Sequence, residues 1–300
     1  MRKYFILAAA ALAMVACSNE ENENAVQNTD NVIRLTASVG NAAQTRAANN
    51  LLVSTFASEK TVKVKPTDVA GVASYSEVLY TVGDAGALST STAQYYPAGG
   101  GTVNVYAYYP SNAVTTEDGY IVTLDQSTDE AYEAVDLMYA TLTGINKTVT
   151  GDDHTLDFNH KLSKISVTLA AGAGIQASEL AIATIKLKDV VYKGTFAPAT
   201  GTFTAASAET ASNKGDVIIA TNAGSTAHSA IVVPQAVAGK KISVTIGETT
   251  QEYTIPAETT FAEGTHYAYT ITVNASEIVV TSSIHAWTDA TPVSDAEVEF

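Results

Sequence analysis

From residue 32 onward, hydrophobic positions recur every second residue rather than every third or fourth. Ile33, Leu35, Ala37 and Val39 alternate with Arg34, Thr36 and Ser38. The same period runs through 61–65, 103–109, 165–169, 182–187, 217–219, 231–233, 242–246 and 267–273. These runs are rich in Val, Ile, Thr and Tyr and are bounded by Gly, Pro, Asn and Asp, which predicts strands and turns. Their spacing predicts an all-β chain of antiparallel β-sandwiches rather than βαβ units, with little helix beyond a turn or loop at 131–138. The polar, turn-rich stretch 143–154 predicts a boundary near residue 155, dividing the body into sandwiches at 47–155 and 156–300. No Gly/Ser-rich linker separates them, so close packing is expected.

The N-terminus follows a different pattern. Arg2 and Lys3 precede an uncharged, mostly apolar run at 4–16. That run is shorter than the roughly 20 residues a membrane-spanning helix needs. It fits the hydrophobic region of a signal peptide, 1–16. The sequence Ala13-Met14-Val15-Ala16-Cys17 resembles the lipobox of bacterial lipoproteins, in which the cysteine is acylated and becomes the mature N-terminus. The other reading is an ordinary signal peptide followed by an incidental buried cysteine. Cys17 is the sole cysteine, so an intramolecular disulfide or a cysteine-rich metal site is excluded. Residues 18–24 are polar and acidic and read as a tether. They also resemble the surface-export signal of Bacteroidetes lipoproteins.

Charge sharpens the picture. The 300 residues carry a net charge of −15 with 46% hydrophobic residues. This rules out wholesale disorder and disfavours a nucleic-acid partner. The deficit is in bases: arginine occurs at 2, 34 and 46 and nowhere later. Compositional drift is one explanation; survival beside an arginine-specific protease is another. Arg46 sits in Gln44-Thr45-Arg46-Ala47-Ala48-Asn49-Asn50, a small, polar stretch suited to proteolysis. Cleavage between Arg46 and Ala47 would remove a propeptide, 17–46, together with the strand of Ile33, Leu35, Ala37 and Val39. An apolar groove with open sheet edges would remain, ready for a strand donated by a neighbouring subunit. The C-terminal tail could supply it: Ala296, Val298 and Phe300 lie on one face and Asp295, Glu297 and Glu299 on the other. A head-to-tail contact of this kind builds a filament when it does not close.

No catalytic constellation emerges. G-x-S-x-G is missing, Gly99-Gly100-Gly101 precedes a strand rather than a helix, and the five histidines lack metal-ligand spacing. Asp152-Asp153-His154 reads as a weak cation site or as a turn. Asp157 and His160, flanking Phe158, suit a structural role at a domain boundary. Tyr95, Tyr96, Tyr106, Tyr108 and Tyr109 could stack on sugars or fill inter-sheet space. The expectation is a non-enzyme with no cofactor and no metal.

The segments Tyr95-Tyr96-Pro97, Gly101-Thr102-Val103-Asn104-Val105-Tyr106-Ala107-Tyr108-Tyr109-Pro110 and Asp136-Leu137-Met138-Tyr139-Ala140 resemble the fimbrillin (FimA/Mfa-like) family of Bacteroidetes type V pilins. So do Leu156-Asp157-Phe158-Asn159-His160-Lys161-Leu162-Ser163-Lys164-Ile165, Ile231-Val232-Val233-Pro234-Gln235, Glu263-Gly264-Thr265-His266-Tyr267 and Ile284-His285-Ala286-Trp287. The resemblance implies two transthyretin-like antiparallel β-sandwich domains and lipoprotein export to the outer membrane. It further implies cleavage by an arginine-specific or trypsin-like protease and strand-exchange polymerisation with other pilin subunits in a surface fimbrium. Cys17 and the Arg46–Ala47 bond match the family's lipidation and cleavage positions. The expected function is a stalk subunit supporting adhesion and biofilm formation. The alternative is a binding module, a surface-anchored lipoprotein serving as fimbrial anchor or tip, or as an adhesin for glycans or host proteins.

Overall fold

The structure is a computed structural model describing residues 31–39, 59–114, 119–147, 154–207 and 209–287. Cys17, Arg46, Ala47, Asp152, Asp153, Ala296, Val298 and Phe300 lie outside the described residues. Among the described residues strand accounts for 53% and helix for 6%, an all-β architecture.

The first half contributes β1 (Leu35–Val39), β2 (Thr61–Asp68), β3 (Val78–Val82), β4 (Leu88–Ser89), β5 (Val103–Tyr109), β6 (Tyr120–Ile121), helix α1 (Asp129–Glu133), β7 (Met138–Ile145) and β8 (His154–His160). The second half begins with β9 (Ser163–Ala171), helix α2 (Ala177–Leu180), β10 (Thr184–Val191), β11 (Lys193–Ala197), β12 (Thr202–Ala205) and β13 (Lys214–Ala220). It continues with β14 (Ala227–Val232), β15 (Gln235–Ala236), β16 (Lys241–Ile246), β17 (Thr249–Thr254), β18 (Thr260–Phe261), β19 (Thr265–Val273) and β20 (Ile278–Ala286). The turn foreseen near 131 is α1, whose N-cap Thr128 accepts a hydrogen bond from the Ala131 amide at 3.3 Å.

Two hydrophobic cores result. Around the first runs a seven-stranded sheet in the order β1-β8-β7-β5-β2-β3-β4. Period-two burial sends Val62, Val64, Val103, Val105, Leu156 and Phe158 inward. Tyr108 and Tyr139 turn to the other face, where Phe196 of β11 meets them edge-on at 5.6 and 6.2 Å. The second core lies between sheets β13-β10-β16-β17 and β14-β9-β19-β20. Most pairs are antiparallel, but β1–β8 and β9–β19 are parallel. Hydrophobic alternation marks which face is buried and says nothing of direction. Each parallel pair here is joined by a long crossover through other strands.

β8 follows the expected boundary near residue 155 in sequence, yet Leu156 and Phe158 are buried in the first core, and so is Leu162. From Ile165 onward the strand interior belongs to the second core. The chain therefore passes between cores just after β8.

Two devices tie the cores together. Residues 124–126 run along one side of the second core, where the Leu124 carbonyl accepts from the Ile218 amide at 2.7 Å and the Gln126 amide donates to the Ile218 carbonyl at 3.0 Å. The fully buried Gln126 side chain then reaches β14. Its Nε2 donates to the Ile231 carbonyl and its Oε1 accepts from the Ile231 amide, both at 2.8 Å. One glutamine thus satisfies the amide and the carbonyl of an edge-strand residue that would otherwise be buried without partners there. At the far end, Trp287 stacks on His160 with centroids 3.7 Å apart. The His160 Nδ1 lies 2.6 Å from Asp136 Oδ1, and both side chains are buried.

Gln126→Ala should leave the Ile231 amide and carbonyl buried and unsatisfied. The expected loss is about 3 kcal/mol. It should lower the urea midpoint without changing the slope, followed through the fluorescence of Trp287, the single tryptophan.

Candidate functional site

β1 is the seam of the first core. Ile33, Leu35, Ala37 and Val39 point inward with exposures of 2, 4, 3 and 8%. Arg34 is exposed, and Thr36 and Ser38 are half-buried. The alternation arises because one strand face meets the core and the other meets water.

Both edges of this strand are engaged. On one side it runs parallel to β8, from Leu35 opposite His154 to Val39 opposite Phe158. The His154 amide donates to the Arg34 carbonyl at 3.1 Å. Outside the core, Thr36 Oγ1 lies 3.0 Å from Thr155 Oγ1, and Ser38 Oγ donates to Asp157 Oδ1. On the other side, Val32 and Thr36 form antiparallel bridges to Tyr95 and Ala87. The Ile33 amide donates to the Gln94 carbonyl at 2.8 Å, and the Tyr96 amide donates to the Asn31 carbonyl at 3.0 Å. Ala87 directly precedes β4, so β1 joins the two ends of the seven-stranded sheet.

The closest approach is at Gly86, where φ is +79°. A Cβ there would lie 2.1 Å from the Ala37 carbonyl oxygen. Only glycine admits the seam strand at this point.

Burying an Ile, Leu or Val side chain is worth about 1.5–3 kcal/mol, so the inward face of this strand contributes on the order of 6 kcal/mol. That is comparable with the whole net stability of a domain, about 5–15 kcal/mol. A seam of this size has to stay filled.

The other residues singled out in the sequence are dispersed through the fold. His154 opens β8. Tyr96, Tyr108 and Tyr109 are buried in the first core. The Tyr106 and Tyr108 hydroxyls both donate to the Glu77 carboxylate at 3.0 Å. Burial, reinforced by Glu77, raises both phenols well above their ordinary range. These rings pack within the fold, and no three His, Cys, Asp or Glu side chains gather as metal ligands among the described residues.

His160 lies at the junction of the cores. Lys161 pairs with Glu263, the Gly264 amide donates to the Leu162 carbonyl at 2.9 Å, and the Trp287 amide donates to the Gly264 carbonyl at 2.8 Å. Nearby, burial holds His266 down to about 3, helped by Lys164 and His285, so it stays neutral at physiological pH. Sequence reasoning missed Gly86, Gln94 and Tyr96 as seam partners. A lone turn glycine and two backbone groups in a loop carry no signal of the strand they will meet.

Residues 28–287 match the family model described as fimbrillin-like. A Bacteroides uniformis protein described as fimbrium subunit Fim1C is 26% identical over 309 residues, covering 96% of each chain. A solved structure from Bacteroides uniformis, described as a cell adhesion protein, aligns with TM-score 0.69 at 21% identity, covering 87% of this chain and 99% of that one. Another, from Bacteroides ovatus, aligns with TM-score 0.68 at 20% identity, covering 88% and 99%. Both share the fold. The match to the family model takes in the seam strand, both cores and the Trp287 junction, and by it this chain belongs to the fimbrillin-like family.

Proposed function

We propose that the chain is a structural fimbrial subunit, exported as a lipoprotein acylated at Cys17 and cleaved between Arg46 and Ala47. It then polymerises head to tail by strand exchange in a cell-surface fimbrium that supports adhesion and biofilm formation. The observation that carries this reading is the seam strand. Ile33, Leu35, Ala37 and Val39 fill a slot engaged on both edges, and Arg46 follows shortly after in sequence. Removing residues up to 46 would open the slot and uncover backbone groups on β8 and on the 87–96 segment.

An apolar slot with open edges binds a strand whose side chains alternate to match. The segment 292–300 has that alternation: Ala296, Val298 and Phe300 for the core, Asp295, Glu297 and Glu299 for water. Donation by one subunit to the next is heterologous and propagates as a filament. The similarity to a protein described as a fimbrium subunit points the same way. In this reading the partners are other pilin subunits, the outer membrane before cleavage, and an arginine-specific or trypsin-like protease.

Three outcomes test the reading. Arg46→Ala should abolish filaments while acylated precursor accumulates. N-terminal sequencing of surface protein should find Ala47 in the wild type; unchanged filaments from the variant would reject cleavage at this bond. Deleting 293–300 should leave folded subunits that do not elongate, with an unaltered melting temperature and no ladder on mildly denaturing gels; normal elongation would dismiss the tail as donor. Gly86→Val should prevent any strand from seating, costing the precursor about 3 kcal/mol or more in chemical unfolding and blocking assembly. A precursor of wild-type stability would show that the seam is not closed at Gly86.

A further inference from the structure

The second sandwich has two sides where its sheets end, and the fold treats them differently. On one side the edges of β13 and β14 are bridged by 124–126 through Ile218 and Ile231. On the other side the sheets end at β17 and β20, and among the described residues no strand pairs with the outer edge of either.

Exposed edges in soluble proteins are ordinarily short, charged or broken by proline. β17 follows that rule through Glu252, which ion-pairs with Lys241 and Lys188. β13 carries Lys214 and Asp216. β20 does not: its nine residues, IVVTSSIHA, include no acid, lysine, arginine or proline. Its core side is also incompletely covered. Ile278, Val280, Ser282 and Ile284 stand opposite Val273, Ile271, Tyr269 and Tyr267, and so share the core-facing side of the sheet. Along that row Ile278 and Val280 are half-buried, while Ile284 is 64% exposed.

We propose that β20 is a self-pairing edge, through which two copies of this chain join by antiparallel strand addition about a two-fold axis at Ser282. Charge selects the occupant. In a chain of net charge −15, like charges oppose the approach of two copies, and an edge without acidic residues presents the least repulsion. β20 is the longest uncharged edge among the described strands. Ser282 is the midpoint of 278–286, so a two-fold there pairs the whole strand with itself. Core-facing residues then meet core-facing residues. Ile284 of one copy lies beside Val280 of the other, and the exposed isoleucine gains an apolar cover. On the opposite face Thr281 meets Ser283. The contact is isologous and closes after two copies. Between fimbriae it would join filaments side by side, but it does not depend on strand exchange.

The test uses the full chain with Cys17→Ser, so that Ser282→Cys supplies the only thiol. A short thiol-bridging reagent should link two copies of the uncleaved chain into a covalent dimer as the main product. Thr281→Lys with Ser283→Lys, added to that background, sets like charges opposite each other and should cut the yield at least tenfold. Thr281→Lys with Ser283→Glu sets opposite charges together and should restore it. A chain that stays monomeric, as it would if its own C-terminal segment occupied β20, overturns the proposal. So does linkage indifferent to the two charge arrangements. Because the dimer is read in uncleaved chain, its failure leaves the strand-exchange reading intact, and the converse also holds.

Discussion

An open sheet edge over an apolar core has to be covered, and the first half of this chain is organised around that requirement. Six strands, β8-β7-β5-β2-β3-β4, curl until the ends of their sheet come near each other, leaving a slot one strand wide. β1 fills the slot by pairing with β8 on one side and bridging to Ala87 and Tyr95 on the other. The strand comes from the N-terminal end of the described chain and is continuous with the rest only through residues 40–58. Its hold is mainly backbone pairing and burial, interactions that another strand of matching alternation could reproduce, with hydroxyl contacts from Thr36 to Thr155 and from Ser38 to Asp157 outside the core.

The coupling between cores has a different character. It depends on individual polar side chains whose partners are buried. Gln126 satisfies both the amide and the carbonyl of Ile231, and Asp136 meets His160 under the Trp287 ring. Contacts like these tolerate substitution poorly, because removing one partner strands the other. The molecule thus combines a seam that alternating apolar residues can fill with a junction that only particular residues can make. Trp287 lies in that junction.

How much of this was legible beforehand differs from element to element. β5 was marked by Val103, Val105 and Ala107 on one face with Tyr106 and Tyr108 on the other, and β1 by Ile33, Leu35, Ala37 and Val39. β20 was not. Its apolar residues sit at both ends around Thr281, Ser282 and Ser283, and its core side is only partly covered, so burial left a weak imprint on composition. β8 was assigned to the later half because a turn-rich stretch precedes it. Its pairing with β1 and β7 places it with the first core. Of the seam itself, the inward face was evident, while the opposing edge at Ala87, Gln94 and Tyr96 was not.

The sequence alone determined the all-β character, the inward face of each strongly alternating strand, the solitary cysteine near the N-terminus and the end of arginine at position 46. Those are properties of local composition and period. Tertiary structure alone decided that β1 runs parallel to β8, that Gly86 must lack a side chain, and that Gln126 closes one side of the second core while β20 leaves the other open. Each of these depends on which distant segments become neighbours. Hydrophobic period specifies the face of a strand that is buried, but not its partner, its direction or the edge left unpaired.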